Sequence, residues 1–217
     1  MKNVTQLPSL IRKSFPVGHL GCNCSIIGDP ITKEGIVVDP GGDAQKILKT
    51  IDELGLKIIG IIHTHAHLDH FLAAGDIKAA TGAPLCLHKD DKPLWDMAEI
   101  QCQMMGMPFK PLPDPDQWLH DDEGLCCCNG VAMHTPGHTP GSMSFWFEDY
   151  NLLLAGDTLF RGSVGRTDLP GGDPGIIKKS ILNRLYTLDD DALVITGHGP
   201  DTSIGFEKRS NMFIRAK

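Results

Sequence analysis

The feature that most constrains this chain of 217 residues is a histidine-rich segment that directly follows an apolar run. Lys57–Ile62 is rich in β-branched residues and almost entirely apolar, which is typical of a strand covered on both faces. The segment His65-Ala66-His67-Leu68-Asp69-His70 then carries three imidazoles and one carboxylate within six positions. Neutral imidazole and carboxylate are ligands for zinc, iron and manganese. The pattern therefore predicts a metal site on the turn that follows a buried strand.

The spacing inside this segment divides its side chains into two pairs. His65 and His67 lie two positions apart, which in extended backbone places both rings on the same side. Asp69 and His70 fall where a helix is predicted to begin, so the change of chain direction can aim them at a second metal. The alternative is a solvated histidine-rich loop. So many potential ligands directly after a buried strand disfavour it.

Three later segments repeat the arrangement of a strand-like run followed by a potential ligand. His138 lies among two prolines and two glycines, Asp157 ends an apolar run, and His198 stands between two glycines after another apolar run. Glycine lets the backbone approach closely, and proline stiffens a turn. Each segment alone is a weak signal, because such turns are common. Together with the first segment, these turns predict one metal centre.

Hydrophobic periodicity elsewhere predicts strands and helices in two successive β-rich halves. Strands are predicted at Ile11–Val17, Cys22–Gly28, 35–38, Lys57–Ile62, 84–87, 130–134, 142–147, 152–154 and 192–196. Helices are predicted at Ala44–Leu54, with Asp43 as its N-cap and Gly55 at its end, and at 69–80, 89–105 and 176–188. A loop is predicted at 110–116 and a long glycine-rich loop at 156–175. This order favours one layered α/β domain over residues 1–217, with helices outside two sheets.

Composition limits the remaining classes of function. The formal net charge is −7, whereas a general nucleic-acid binder needs a basic face. The sequence has no apolar run near the roughly 20 residues of a membrane helix. Residues 1–15 lack the apolar core of a secretory signal, so a cytoplasmic location is expected.

The cysteine content predicts reduced thiols. The count of seven is odd and no secretory signal is visible, which does not suit a disulfide framework. Cys126, Cys127 and Cys128 are consecutive, and in a strand they would point to alternating faces and could not all face one metal. We expect them to be small buried apolar side chains. A reactive thiol or adventitious metal binding is the alternative.

The ligand series from His65 through His70 to His138, Asp157 and His198 resembles the metallo-β-lactamase fold superfamily. Within it, the chain is most similar to the glyoxalase II-like hydrolases of the short bacterial type, which lack a long C-terminal helical region. Residues 156–160 and 165–168 resemble that group as well. The similarity extends from about residue 14 to about residue 206. The motifs are specific for the superfamily and less specific for the substrate.

The resemblance implies a four-layer αββα sandwich of the metallo-β-lactamase type with two divalent metal ions, zinc first and iron or manganese as alternatives. It assigns one metal to three histidines and the other to Asp69 and two histidines, with Asp157 bridging both; Asp69 and Asp157 are the residues expected to take part in catalysis. The full implied ligand set is His65, His67, His138, Asp69, His70, His198 and Asp157. The best-known zinc β-lactamases usually carry cysteine at the position of Asp157, which disfavours antibiotic hydrolysis.

The resemblance also implies a reaction. Two metals that share a water lower its pKa, and the resulting hydroxide would attack a thioester carbonyl. The predicted activity is that of a hydroxyacylglutathione hydrolase acting on a substrate such as S-lactoylglutathione. The predicted partner is this small-molecule thioester, with no nucleic acid and no membrane; the oligomeric state stays open.

Three alternatives stay open at this point. A mononuclear iron persulfide dioxygenase acting on glutathione persulfide shares His65, His67, His138 and Asp157 with this chain. A nuclease of the same superfamily would need an added nucleic-acid-binding region, which is not visible. A metal-binding or redox-sensing protein would use the cysteine cluster at 126–128.

Several polar residues near these motifs have no place in the ligand set. Arg166 and Asp168 are expected to form an ion pair that either supports Asp157 or clasps the loop at 156–175. His63 is interpreted as a hydrogen-bonded histidine at a strand end. His134 and His88 are interpreted in the same way, although His88 could also line the cleft.

Overall fold

Two six-stranded sheets, each built from one half of the chain, lie face to face in this protein. The computed structural model describes residues 9–215, so residues 1–8 of the segment inspected for a secretory signal lie outside the described residues. The first half contains β1 (Ile11–Val17), β2 (Cys22–Gly28), β3 (Glu34–Val38), α1 (Ala44–Leu54), β4 (Lys57–Ile62), α2 (Ala74–Thr81), β5 (Leu85–His88), α3 (Lys92–Asp96), α4 (Ala98–Met104) and β6 (Gln117–Leu119).

The second half begins with a short strand and ends with a helix that hydropathy did not predict. Its elements are β7 (Glu123–Gly124), β8 (Val131–His134), β9 (Met143–Phe147), β10 (Leu152–Gly156), β11 (Leu159–Phe160), β12 (Ser163–Val164), α5 (Pro174–Asn183), β13 (Leu193–Thr196), β14 (Thr202–Ser203) and α6 (Ile204–Ser210). The first sheet has the order β1-β2-β3-β4-β5-β6 and the second β14-β13-β10-β9-β8-β7. Strands β3 to β6 run parallel, as do β10 and β13.

Alternation along the strands produces three apolar layers. In β2, Ile26 packs among residues of α1 and α2, while its neighbour Ile27 faces the other sheet. Both are fully buried, which is why such strands read as continuous apolar runs. Phe145 and Phe147 fill the layer between the sheets, and Ile181 of α5 belongs to the layer outside the second sheet. These layers confirm the expected αββα sandwich.

Three of the four predicted helices differ from the structure in their bounds or continuity. The region predicted as a helix at 69–80 begins with a short 3-10 turn, Leu68–His70, and α2 starts only at Ala74. The region 89–105 contains a 3-10 turn and the separate helices α3 and α4, which meet at Met97. The helix predicted at 176–188 starts earlier, at Pro174, and stops at Asn183.

Two local predictions hold only in part. Asp43 occupies the N-cap position of α1 as predicted, but its side chain makes no capping hydrogen bond: its φ is left-handed at 51°, and its carboxylate accepts from the backbone N–H of Gly18 instead. The three consecutive cysteines lie in a turn after β7, not in a strand, and Cys126 is exposed. By contrast, α1 has the predicted bounds and ends at Gly55, whose left-handed conformation terminates the helix.

The topology brings the predicted ligands to one edge of the sandwich. The segment at 65–70 follows the C-terminal end of β4, and His138, Asp157 and His198 follow β8, β10 and β13. An isolated antiparallel bridge between Cys22 and His198 joins the two sheets at this edge. Among residues 9–215, no helix is both long enough and apolar enough to cross a bilayer.

Candidate metal centre

The histidine-rich turn is held in place by a close backbone contact. After β4 the chain extends through His67 and then tightens into the 3-10 turn Leu68–His70. A Cβ at Gly41 would lie 1.5 Å from the carbonyl oxygen of Asp69, so only glycine fits beneath this turn. The side chain of Gln101, on α4, accepts from the backbone N–H of Leu68 and donates to the carbonyl of Ala66. The turn is thereby fixed from two sides.

Three imidazoles form the first cluster of donor atoms. His138 Nε2 lies 2.9 Å from His67 Nδ1 and 3.2 Å from His65 Nε2. Burial, followed by the neighbouring histidines, lowers the pKa of His65, and the same causes lower that of His67 to about 3. All three rings are therefore neutral at neutral pH, with their nitrogens crowded around one point. Such a set could hold a divalent transition metal.

A second cluster lies beside the first and contains a carboxylate. Asp69 Oδ2 is 3.0 Å from His198 Nε2 and 3.6 Å from His70 Nε2. Burial disfavours the charged form of His70, but the surrounding acidic groups outweigh it and raise its pKa. Burial likewise opposes ionisation of Asp69, yet His70 and His198 lower its pKa. This set could also hold a metal ion.

Asp157 lies between the two clusters. One carboxylate oxygen, Oδ1, is 3.4 Å from His70 Nε2, and the other, Oδ2, is 3.6 Å from His138 Nε2 and 3.7 Å from His198 Nε2. A Cβ at position 197 would lie 1.9 Å from Oδ1 of Asp157. Only glycine at this position, directly before His198, leaves room for the carboxylate.

An unsatisfied buried pair tests whether these residues suit metal ions. Within residues 9–215, His70 Nε2 and Asp157 Oδ1 are buried and have no hydrogen-bond partner. Buried polar atoms without partners are costly, and a metal ligated by both would satisfy them. The chemistry of the donors agrees, because five imidazoles and two carboxylates suit borderline divalent ions. The structure thus brings all seven sequence-predicted residues together in a set that fits two ions.

A buried carboxylate behind His70 was not predicted from the sequence. Asp39 accepts hydrogen bonds from the backbone N–H and the hydroxyl of Thr64, both at 2.7 Å, and from His70 Nδ1 at 3.0 Å. This contact orients the ring so that Nε2 faces Asp157. Asp39 follows β3 in a left-handed conformation, with a φ of 52°. The turn formed by one proline and two glycines after β3 is the only local signal for it.

A second buried carboxylate, Asp91, connects the two loops that carry the first cluster. Its Oδ2 accepts from the backbone N–H of Ala66 and from the Thr139 hydroxyl, each at 2.8 Å, and its Oδ1 accepts from the N–H of Gly141 at 2.6 Å. Ala66 separates two of the histidines and Thr139 follows the third. Asp91 therefore fixes the distance between these loops. It lies in a polar stretch after β5 that gives no sequence signal of this role.

Arg166, Asp168 and His63 were not assigned to the ligand set from the sequence, and the structure shows what each contacts. Arg166 and Asp168 form the expected ion pair, with two hydrogen bonds of 2.8 Å, and both side chains are exposed. The contact with the centre comes from the backbone carbonyl of Arg166, which accepts from His138 Nδ1 at 2.8 Å. His63 Nδ1 lies 3.0 Å from the carbonyl of Cys86, and its ring packs edge-on against Trp95, away from the donor clusters.

Comparison with known proteins agrees with this architecture. The family model described as the metallo-beta-lactamase superfamily matches residues 17–198. The chain belongs to this superfamily. It is 38% identical over 207 residues to the hydroxyacylglutathione hydrolase GloC of Haemophilus influenzae, with 94% of this chain and 97% of that protein covered.

Two solved members of the superfamily are similar in structure over almost the whole chain. The crystal structure of TTHA1623 in a di-iron-bound form has 35% sequence identity and a TM-score of 0.87, covering 93% of this chain and 100% of that one. The BLEG-1 B3 metallo-beta-lactamase has 32% identity and a TM-score of 0.84, covering 94% and 99%. These similarities agree with membership of the superfamily. The names of the relatives indicate different activities, one a hydroxyacylglutathione hydrolase and one a β-lactamase.

Proposed function

We propose that this member of the superfamily is a dinuclear metal-dependent hydrolase that cleaves a glutathione thioester of the S-lactoylglutathione type. The observation that carries the proposal is the pair of donor clusters with Asp157 between them. Full-length similarity to a protein named hydroxyacylglutathione hydrolase supports the choice of substrate.

The seven residues have separate tasks in this proposal. His65, His67 and His138 would hold one ion, and His70, His198 and Asp69 the other. Asp157, which lies between the two sets, would be a ligand common to both. When bound, divalent ions supply Lewis acidity, which polarises a carbonyl and brings the pKa of water towards neutrality. Zinc, iron and manganese all suit these donors.

The protein itself contributes a fixed, partly enclosed array of negative and neutral donors. Asp69 and Asp157 are mostly buried, with side chains 15% and 12% exposed, so each keeps a small surface accessible to solvent. A carboxylate there can accept a hydrogen bond from the attacking water and orient it towards the thioester carbonyl. Because thiolate is a good leaving group, no residue has to act as a dedicated general acid.

The second cluster favours this proposal over the mononuclear persulfide dioxygenase. A one-ion enzyme needs two histidines and one carboxylate, and leaves no task for a second set of donors. Here Asp69 and His198 converge at 3.0 Å, and His70 has a nitrogen without a hydrogen-bond partner among residues 9–215. Two adjacent sets of donors therefore favour a two-ion hydrolase over a one-ion dioxygenase.

The test is hydrolysis of S-D-lactoylglutathione by protein reconstituted separately with zinc, iron and manganese. Release of glutathione thiol, followed with a chromogenic disulfide, is expected for at least one form, and Asp157→Asn should reduce it by at least about a hundredfold. Oxygen consumption with glutathione persulfide and cleavage of a chromogenic cephalosporin are measured in parallel. Loss of thioester cleavage in all three forms, with either other activity present, would overturn the proposal.

A further inference from the structure

A third group of metal-binding side chains lies outside the centre described above. His88 ends β5, Asp90 lies in the 3-10 turn that follows, and His134 ends β8 in the other sheet. One donor atom from each residue lies within 4.8 Å of the other two. Donors around a tetrahedral transition metal are about 3.3 Å apart, so small side-chain movements would bring these three to a common ion.

The hydrogen bonds of the two rings identify the nitrogens already in use. His134 Nε2 donates to the carbonyl of Pro140 at 2.9 Å, so its Nδ1 carries a lone pair in the neutral ring. A backbone carbonyl partner of this kind is the usual support behind a metal-binding histidine. His88 Nδ1 accepts a long hydrogen bond of 3.3 Å from the backbone N–H of Asp90, and an ion bound at this nitrogen would replace that contact.

The donors face one another without a proton between them. His88 Nδ1 lies 3.8 Å from Asp90 Oδ2, and both atoms are acceptors. The rings of His88 and His134 stack at 4.3 Å between centroids with planes 16° apart, so their in-plane lone pairs lie side by side and the rings would tilt to share one ion. Electron-rich atoms in such proximity are stabilised by a cation.

Burial and charge suit a metal ion better than protons. His88 is 6% exposed, whereas Asp90 is exposed and leaves one side of the group open to solvent. Burial, and then the adjacent His134, lowers the pKa of His88, so its ring is neutral at neutral pH. Two stacked imidazolium ions would repel each other, while two neutral rings and a carboxylate can ligate one divalent ion together.

We propose that His88, Asp90 and His134 form an additional site for a divalent transition ion of the zinc class, with water at the open position. Imidazole donors outnumber oxygen donors, which selects zinc, nickel or copper over calcium and magnesium. The ion would connect the loop after β5 to the strand that leads into His138. Since Asp91 follows Asp90 directly, this ion would brace the same pair of loops that Asp91 joins.

The test is the zinc stoichiometry of the intact chain. After equilibration with excess Zn²⁺ at pH 7.5 and removal of free metal, we expect one zinc ion more per chain in the wild type than in His134→Ala. His19→Ala, which removes an exposed histidine elsewhere, is the matched control and should retain the wild-type number. An equal stoichiometry in His134→Ala and the wild type would overturn the proposal.

One further variant keeps the result interpretable if His134→Ala fails to fold. Asp90→Asn changes an exposed side chain and should leave the fold intact, yet it should weaken the additional ion by at least about tenfold in a titration against a chelator. Unchanged affinity in Asp90→Asn would contradict the three-residue site. The proposal is independent of the thioesterase proposal, because it is read from the number of ions bound and not from activity. The thioester assay can therefore fail while the additional site is confirmed, and the reverse.

Discussion

At the level of single residues, the candidate metal centre depends on carboxylates that are not among the seven proposed ligands. Asp39 orients the ring of His70, and Asp91 holds the backbone on either side of the first cluster. Both are fully buried or nearly so. A buried carboxylate that accepts several hydrogen bonds has no easy replacement, because each donor it satisfies would otherwise be left without a partner.

The isosteric substitution Asp91→Asn tests this positioning role. An amide offers one acceptor oxygen where three donors now converge, so its NH₂ group must face at least one of them. We expect the affinity of the first ion to fall by about 10- to 100-fold. Titration against a chelator measures this.

Asp114→Asn, at an exposed position, is the control for the loss of a negative charge. It should leave metal affinity unchanged. Wild-type affinity in Asp91→Asn, measured on protein of normal thermal stability, would show that Asp91 has no influence on the metal site.

Thiol reactivity is a second prediction at this scale. Burial is the main cause that raises the pKa of Cys22 and of Cys86 to about 12, so both are protonated and unreactive at pH 8. Cys126 is exposed, and the thiol of Cys127 lowers the pKa of Cys128 by hydrogen bonding. Brief treatment of the native protein with iodoacetamide should therefore alkylate Cys126 and Cys128 first.

Peptide mass mapping identifies the labelled positions. Denatured protein, in which all seven cysteines should react, is the control. Labelling of Cys22 in the native protein at the rate of Cys126 would contradict the burial argument.

At the level of elements, the sequence predicts best those features that depend on local periodicity. Helix α1 has an apolar stripe and a terminating glycine, and its bounds are as predicted. The helix predicted at 69–80 was given too early a start, because the backbone first tightens into the 3-10 turn that contains His70. A propensity pattern does not contain that constraint, since it arises from the contact with Gly41 on another loop.

The same distinction applies to the candidate site. The seven donors lie in four segments that each come after a strand-like run, so the sequence predicted one common centre. Asp39 and Asp91 could not be assigned in this way, because their partners lie 25 to 50 positions away and are determined only by the packing of loops. The additional group at His88 depends likewise on contact between the two sheets.

Helix α5 offers a prediction about an element boundary. Asp173 accepts from the backbone N–H groups of Gly175 and Ile176 at 2.7 and 2.8 Å, and Pro174 occupies the first turn. Asp173→Ala should reduce the free energy of unfolding by about 1 kcal/mol. Urea denaturation measures the change, with Asp173→Asn as a control that keeps the cap and should lose less. Equal stability of the alanine variant and the wild type would exclude a capping contribution.

At the level of the whole molecule, the metal centre is assembled from both halves of the chain. The first sheet carries the segment at 65–70, and the second carries His138, Asp157 and His198. Backbone hydrogen bonds also join the halves at this edge: the N–H of Asn23 donates to the carbonyl of Gly197 at 2.7 Å, and that of Met143 to the carbonyl of Thr64 at 2.7 Å. Bound ions would add cross-links between the halves where neutral and negative donors face one another.

Metal removal should therefore lower the stability of the whole fold and not only its activity. Ions that bind the native state alone stabilise it by an amount that grows with free ion concentration, about 2.7 kcal/mol for one site at about 100 times its Kd. Chelated protein should have a lower Tm than reconstituted protein, and the Tm should rise as free Zn²⁺ increases. Asp157→Asn is the matched variant: it retains the shape of the side chain but weakens the contact to both ions, so the difference between the chelated and reconstituted forms should shrink. If chelation left the Tm of the wild type unchanged although metal analysis confirmed removal, the apolar layers and hydrogen bonds between the halves would account for the stability without any contribution from the ions.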